Sequence, residues 1–136
     1  MQNTNNFKVN RSSAGSGKTY TLSLNFIALS LIGSVKYSAE YYRKILAITF
    51  TNKAASEMKD RVLEYLEVLS DGKNEDSILD WLKKNTPLTE EQIVENAEKV
   101  KSSILHNYAD LRISTIDKFT YNIVRTFSSD LNLSYN

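Results

Sequence analysis

Eight residues, Ser12-Ser13-Ala14-Gly15-Ser16-Gly17-Lys18-Thr19, restrict this chain more than any other feature in it. Before them, Phe7–Arg11 alternates apolar and polar residues, the period of a strand. After the small-residue loop Ser12–Gly17, Lys18–Ile32 is apolar on most sides, as a buried helix is. Strand, small-residue loop and helix, in that order, are the setting of a phosphate-cradling P-loop. Gly15 and Gly17 let the backbone wrap without side-chain clashes, so that successive N–H groups face an anion. The helix N-terminus adds the positive end of its dipole. Lys18 can reach the β- and γ-phosphates, and the Thr19 hydroxyl can ligate Mg²⁺. The candidate nucleotide-binding residues are therefore Ser13, Ala14, Gly15, Ser16, Gly17, Lys18, Thr19 and Tyr20. Lys18 is the catalytic candidate, Thr19 the metal ligand, and ATP with Mg²⁺ the expected cofactor pair. Ser12 stands where the usual pattern opens with glycine, so the strict motif is not met. A Gly/Ser turn ahead of a helix is the plainer alternative.

Further along, Lys44–Phe50 (KILAITF) is a near-continuous apolar run, the pattern of a parallel strand covered on both faces. With the preceding segments it makes a βαβ unit of an α/β fold. Gly33 is placed to close the first helix in the left-handed conformation. Lys53–Leu69 predicts a second helix, with Ala55, Met58, Val62, Tyr65, Leu66 and Leu69 on one face. A polar turn, Ser70–Glu75, leads to a short helix over Ile78–Asn85 that Pro87 breaks. Thr89 and Gln92 form a capping-box pattern for a helix running to about Asn107, with Ile93, Ala97, Val100 and Ile104 aligned. Leu111–Thr115 predicts a strand. Ile116–Ser128 predicts a last helix with Ile116, Phe119, Ile123 and Phe127 on one face.

Charge divides along the same lines. Residues 1–61 hold nine Lys/Arg against three Asp/Glu, net +6; residues 62–110 hold five against eleven, net −6; residues 111–136 are at +1. A basic part of this kind suits an anionic partner, and solvated charged faces are the plain alternative. The chain has no cysteine, which rules out disulfides and thiolate metal sites and suits a reducing cytoplasm. No run approaches the roughly 18 apolar residues of a membrane span. The opening, Met1–Asn6, is polar and unlike a secretory signal.

Two more segments carry a family resemblance. Ala47–Met58 (AITFTNKAASEM) closely resembles motif Ia of the UvrD/Rep-type superfamily 1 DNA helicases. Ile113–Phe119 (ISTIDKF) resembles the segment those helicases place next along their single-stranded DNA track. The resemblance covers most of 1–61 and 111–128. It implies a P-loop NTPase (RecA-like) parallel sheet with flanking helices, incomplete here, plus an inserted helical segment. Residues 1–69 would then be the first part of motor domain 1A, 70–108 a 1B-like helical insertion, and 109–136 a return to the motor domain. It implies single-stranded DNA as partner and DNA contacts at Phe50, Thr51, Asn52, Lys53, Ser114, Thr115 and Lys118. An aromatic can stack on a base, and hydroxyl, amide and ammonium groups can hold phosphates. Each of these also has a structural reading, with Phe50 in the core, Asn52 as a helix N-cap and Lys53 as a solvated charge. Asp117 stands where the family usually has His, and a carboxylate suits a helix cap better than a phosphate contact. The long insertion and the form of the phosphate loop resemble the RecB/AddA helicase–nuclease branch more than UvrD and Rep, which would add other subunits of such a complex as partners.

An NTPase of this type needs a carboxylate pair, one member for Mg²⁺ and one to orient water. No Asp-Glu dipeptide occurs in the chain, and no adenine-recognising Gln motif is evident before the loop. The expectation is a piece of a larger motor, lacking the second motor domain and the arginine fingers, and inactive or nearly so alone. Two other readings stay open: a non-enzymatic nucleotide- or DNA-binding module, and a P-loop kinase or NTPase unrelated to DNA. The latter wants an arginine-rich lid, and Arg11, Arg43, Arg61, Arg112 and Arg125 are scattered. His106 is the lone histidine and reads as a helix-end residue; Trp81, Tyr41 and Tyr42 read as packing, and Glu57 and Asp60 as solvated charges.

Overall fold

The computed structural model describes residues 16–72 and 77–130, with the side chains of 16–18 excepted. The chain runs α1 (Ser16–Lys36), a 3₁₀ turn (Tyr41–Lys44), β1 (Ala47–Thr49), α2 (Asn52–Ser70), α3 (Ser77–Asn85), α4 (Glu90–His106), a second 3₁₀ turn (Tyr108–Asp110), β2 (Ile113–Thr115) and α5 (Ile116–Asp130). The expected strand Phe7–Arg11 and the loop residues Ser12 to Gly15 lie outside the described residues. No described helix is long and apolar enough to cross a membrane.

Helical periodicity sets the core. Ala55, Met58, Val62, Leu66 and Leu69 line the buried side of α2, and Ile93, Ala97, Val100 and Ile104 that of α4. The two helices pack on each other and on α1, which contributes Leu24, Phe26, Ile27 and Leu31. Ile78, Leu79 and Leu82 of α3 close the same cluster, with Trp81 half-buried against it. Tyr65 meets the edge of the Tyr20 ring at 6.0 Å. The capping box at Thr89 and Gln92 is formed in both directions. Ser23 and Ser30 interrupt the apolar run of α1, yet both are buried. Each donates its hydroxyl to the carbonyl one turn back, Thr19 at 2.6 Å and Phe26 at 2.8 Å, so neither is left unsatisfied. Ser34 of α1 donates to Asn96 Oδ1 of α4 at 2.7 Å, a buried polar tie between the two helices. At the rim Lys101 bridges α4 to α2 through Glu67, at 2.8 Å, and also meets Glu98 at 3.0 Å. These bonds hold the ammonium above its ordinary pKa and Glu98 below the usual carboxylate range.

Gly33 does not close α1, which continues to Lys36. It is a buried helical position whose bare Cα admits the ring of Tyr41, and a Cβ there would fall inside that ring. Tyr41 also stacks on Tyr37, 5.3 Å between centroids. Alanine gains about 1 kcal/mol over glycine in a helix, and overpacking costs about 1–3 kcal/mol. The clash is with the root of the ring rather than its tip, so the cost is expected to win. Gly33→Ala should lower the thermal midpoint and break the Tyr37–Tyr41 stack; an unchanged or raised midpoint would mean that the ring swings aside freely.

β1 and β2 form a parallel pair in the register Ala47↔Ile113, Ile48↔Ser114 and Thr49↔Thr115. The pair is compatible with an α/β fold. It is shorter than the expected strands, Lys44–Phe50 and Leu111–Thr115, because each strand is paired for only three residues. Tyr41–Lys44 takes a 3₁₀ turn instead. Nor is β1 covered on both faces: Ala47 and Thr49 are buried on the α2 side, whereas Leu46 and Ile48 are exposed. The aligned apolar face of α5 is likewise open. No residue of α5 is fully buried, and Ile116, Ile123 and Phe127 are exposed.

Candidate functional site

Because the strands are parallel, both end at the same edge of the sheet, and both turn there into a helix. Thr51 leaves β1 in an extended conformation and caps α2, its hydroxyl accepting from Ala54 N at 3.0 Å. Thr115 does the same for α5, accepting from Lys118 N at 3.2 Å. Thr115, not Asp117, makes the capping bond of α5, and Thr51, not Asn52, is the cap of α2. Thr49 Oγ1 lies 3.3 Å from both Thr51 O and Ser114 O, so one hydroxyl ties the two turns together. Two helix N-termini thus share one edge, and their exposed N–H groups and dipoles favour an anion there. The first turn of α2 contains no acidic residue; that of α5 contains Asp117.

The residues expected from the sequence to contact DNA gather at this edge. Phe50, Thr51, Asn52 and Lys53 follow β1, and all four are exposed, Phe50 to 76%. Ser114 is half-buried, Thr115 buried and Lys118 exposed at the end of β2. A cleft of about 240 Å³ joins the two groups, lined among others by Asn52, Ser114, Thr115 and Lys118. Phe50, Thr51 and Lys53 stand outside it. Both capping threonines use an acceptor lone pair on the backbone, which leaves the hydroxyl proton of the exposed Thr51 free for another partner.

The cleft also takes in three residues that sequence reasoning passed over: Ser56, Lys59 and Tyr108. A signal existed for the first two. Asn52, Ser56 and Lys59 recur at helical spacing, the same period that marks the apolar face of α2. Among the described residues, Lys53, Lys59 and Lys118 form no ion pair, while Lys83, Lys99 and Lys101 of α3 and α4 are each paired with a carboxylate. Three lysines without an ion pair therefore stand at the strand ends, although Lys36, Lys44 and Lys84 form none either. His106 accordingly sits exposed at the end of α4, its Nδ1 2.7 Å from Ser102 O.

Of the residues expected to bind a nucleotide, Ser13, Ala14 and Gly15 lie outside the described residues. Ser16, Gly17 and Lys18 form the first turn of α1, whose start carries no acidic residue. Thr19 and Tyr20 follow, half-buried. Among the described residues no group of His, Cys, Asp or Glu could by itself hold a metal ion.

Compared with known protein families, residues 3–136 match the UvrD/REP helicase N-terminal domain. No curated protein and no solved structure matches the chain.

Proposed function

Because the chain belongs to the UvrD/REP helicase N-terminal domain family, we propose that it is the ATP-binding N-terminal part of an ATP-dependent DNA helicase that moves along single-stranded DNA in repair or recombination. The observation that carries the DNA half is the strand-end edge: two helix N-termini, unpaired lysines and a phenylalanine 76% exposed. Phe50 stacks on a base, while Thr51, Asn52, Lys53, Ser114 and Lys118 hold the backbone beside it; Thr115 fixes the turn from which Ser114 and Lys118 project.

For the ATP half, Ser13 to Tyr20 would hold the triphosphate, with Lys18 reaching its terminal phosphates and Thr19 ligating Mg²⁺. The absence of an acid from the first turn of α1 fits an anion at that helix start. When bound, Mg·ATP would supply the phosphoanhydride bond whose cleavage powers the intact helicase. No Asp-Glu pair within these residues orients water, so we assign this chain binding rather than turnover. In this reading residues 70–108 are a 1B-like insertion, and the open face of α5 receives the remainder of the helicase chain, whose second motor domain closes over the nucleotide. Cytoplasmic location and membership of the RecB/AddA branch, with its further subunits, belong to the same proposal.

Thermal melting with Mg·ATP tests the nucleotide site. At about 100-fold over its Kd, a ligand stabilises the folded state by about 2.7 kcal/mol. The midpoint should rise by several degrees in the native chain and not at all in Lys18→Ala. A native midpoint indifferent to Mg·ATP would refute nucleotide binding by this chain.

A further inference from the structure

Resting on the DNA reading of the strand ends, we propose that Lys59 and Tyr108 form a further nucleotide-binding position on the same track, in which Lys59 holds a phosphodiester and Tyr108 stacks on a base.

The cleft has the chemistry for it. Its two charged residues, Lys59 and Lys118, are both cations, and no carboxylate lines it. Ser56, Ser114 and Asn52 supply neutral hydrogen-bonding groups between them. Asn52 and Lys59 lie seven residues apart on one side of α2, about 10 Å along the helix axis. The polar wall therefore runs from the strand ends down the helix instead of stopping at the cap.

Lys59 and Tyr108 are already together. The Lys59 ammonium sits 5.6 Å from the centre of the Tyr108 ring, and Lys59 is half-buried without an ion pair. Tyr108 is 44% exposed, which leaves ring surface for a base. The turn that carries it is braced at both ends. Asp110 N donates to Asn107 O at 2.9 Å and Leu111 N to Tyr108 O at 3.1 Å, while Arg43 approaches the Asp110 carboxylate at 3.2 Å. A stacking ring on a braced turn loses little freedom when it binds. A cation beside an open aromatic ring in an acid-free groove fits a flexible polyanion with flat rings, which is single-stranded nucleic acid.

Anisotropy of a fluorescein-labelled oligothymidylate, titrated with the full chain over a series of NaCl concentrations, separates this from a merely structural contact. Lys59→Ala should weaken binding and flatten the plot of log affinity against log salt by about 0.7, the share of one phosphate on a single strand. Tyr108→Leu should weaken binding by about ten-fold with little change in that slope. Lys59→Arg and Tyr108→Phe should bind like the native chain. Were the pair only a clasp between α2 and the turn, Lys59→Ala and Tyr108→Leu would lower the melting midpoint and leave affinity and slope where they were. That result, with Phe50→Ala still weakening the complex, overturns the inference and leaves the DNA reading intact. A native chain that does not bind the oligonucleotide, or binds it no less well as Phe50→Ala, overturns both.

Discussion

Phe50→Ala is expected to weaken binding of a single-stranded oligonucleotide by roughly 5- to 150-fold, the span of about 1–3 kcal/mol for one stacked base. The melting midpoint should barely move, because an exposed side chain away from any packing feature changes stability by only about 0.5 kcal/mol either way. The position explains the contrast. β1 ends at Thr49, and Thr51 is already the extended cap of α2. Phe50 is the single residue between them, where the chain turns out of the sheet, and 76% of it is left in solvent. Elsewhere the protein does bury a large ring in full: Tyr42 lies inside the core with its hydroxyl donating to Ser103 O at 3.2 Å. Phe50 gains little from packing where it stands, so truncating it should cost the fold little. Equilibrium titration beside a melting curve decides the matter. A midpoint several degrees lower with unchanged binding would make Phe50 a packing residue after all.

What could be read from the sequence was local. The buried faces of α2 and α4 follow from a 3.6-residue period within one segment, and the capping box at Thr89 and Gln92 from four neighbouring residues. The fold expectations that failed depended on a partner outside the segment they were read from. Whether Gly33 ends a helix or admits a ring depends on where Tyr41 comes back. Whether Lys44–Phe50 is a seven-residue strand depends on how many residues β2 offers to pair with it, and that number is three. The apolar stripe of α5 is genuine as a pattern, but a stripe states only that a helix wants a partner, not that these residues supply one.

The site divides along the same line. Residues near Phe50 and Ser114 were found because short segments carry a family resemblance, and the parallel register brings the two segments to one edge. The division of labour within each segment was not visible. Asp117 and Asn52 are both reasonable caps by residue type, yet the threonine at the preceding turn takes that role in each case. A cap is the last extended residue before the helix, and in each case that residue is the threonine. Tyr108 carried no signal at all: its place in the cleft is a consequence of how α4 and β2 are joined.

Leu66→Ala should produce the largest loss of stability, and the site should survive it. Leu66 is fully buried on α2, the helix that touches α1, α3, α4 and both strands. Truncating a buried leucine costs about 2–5 kcal/mol, the removed methyl groups and the cavity both contributing. Since a domain's whole stability is about 5–15 kcal/mol, that is a large share of it. The midpoint should fall by roughly 10 °C or more at the usual few degrees per kcal/mol. Leu66 lies four turns from Thr51, about 22 Å of rise, and two turns from Lys59, about 10 Å, so the proposed edge is set at the other end of the helix. At a temperature where Leu66→Ala is still folded, its affinity for the oligonucleotide should equal that of the native chain, the mirror image of Phe50→Ala. Denaturation curves with binding measured in the cold would show it. If Leu66→Ala weakened binding while remaining folded, α2 would be transmitting core packing to the strand ends, and the edge could not be treated as a site that its own residues hold in shape.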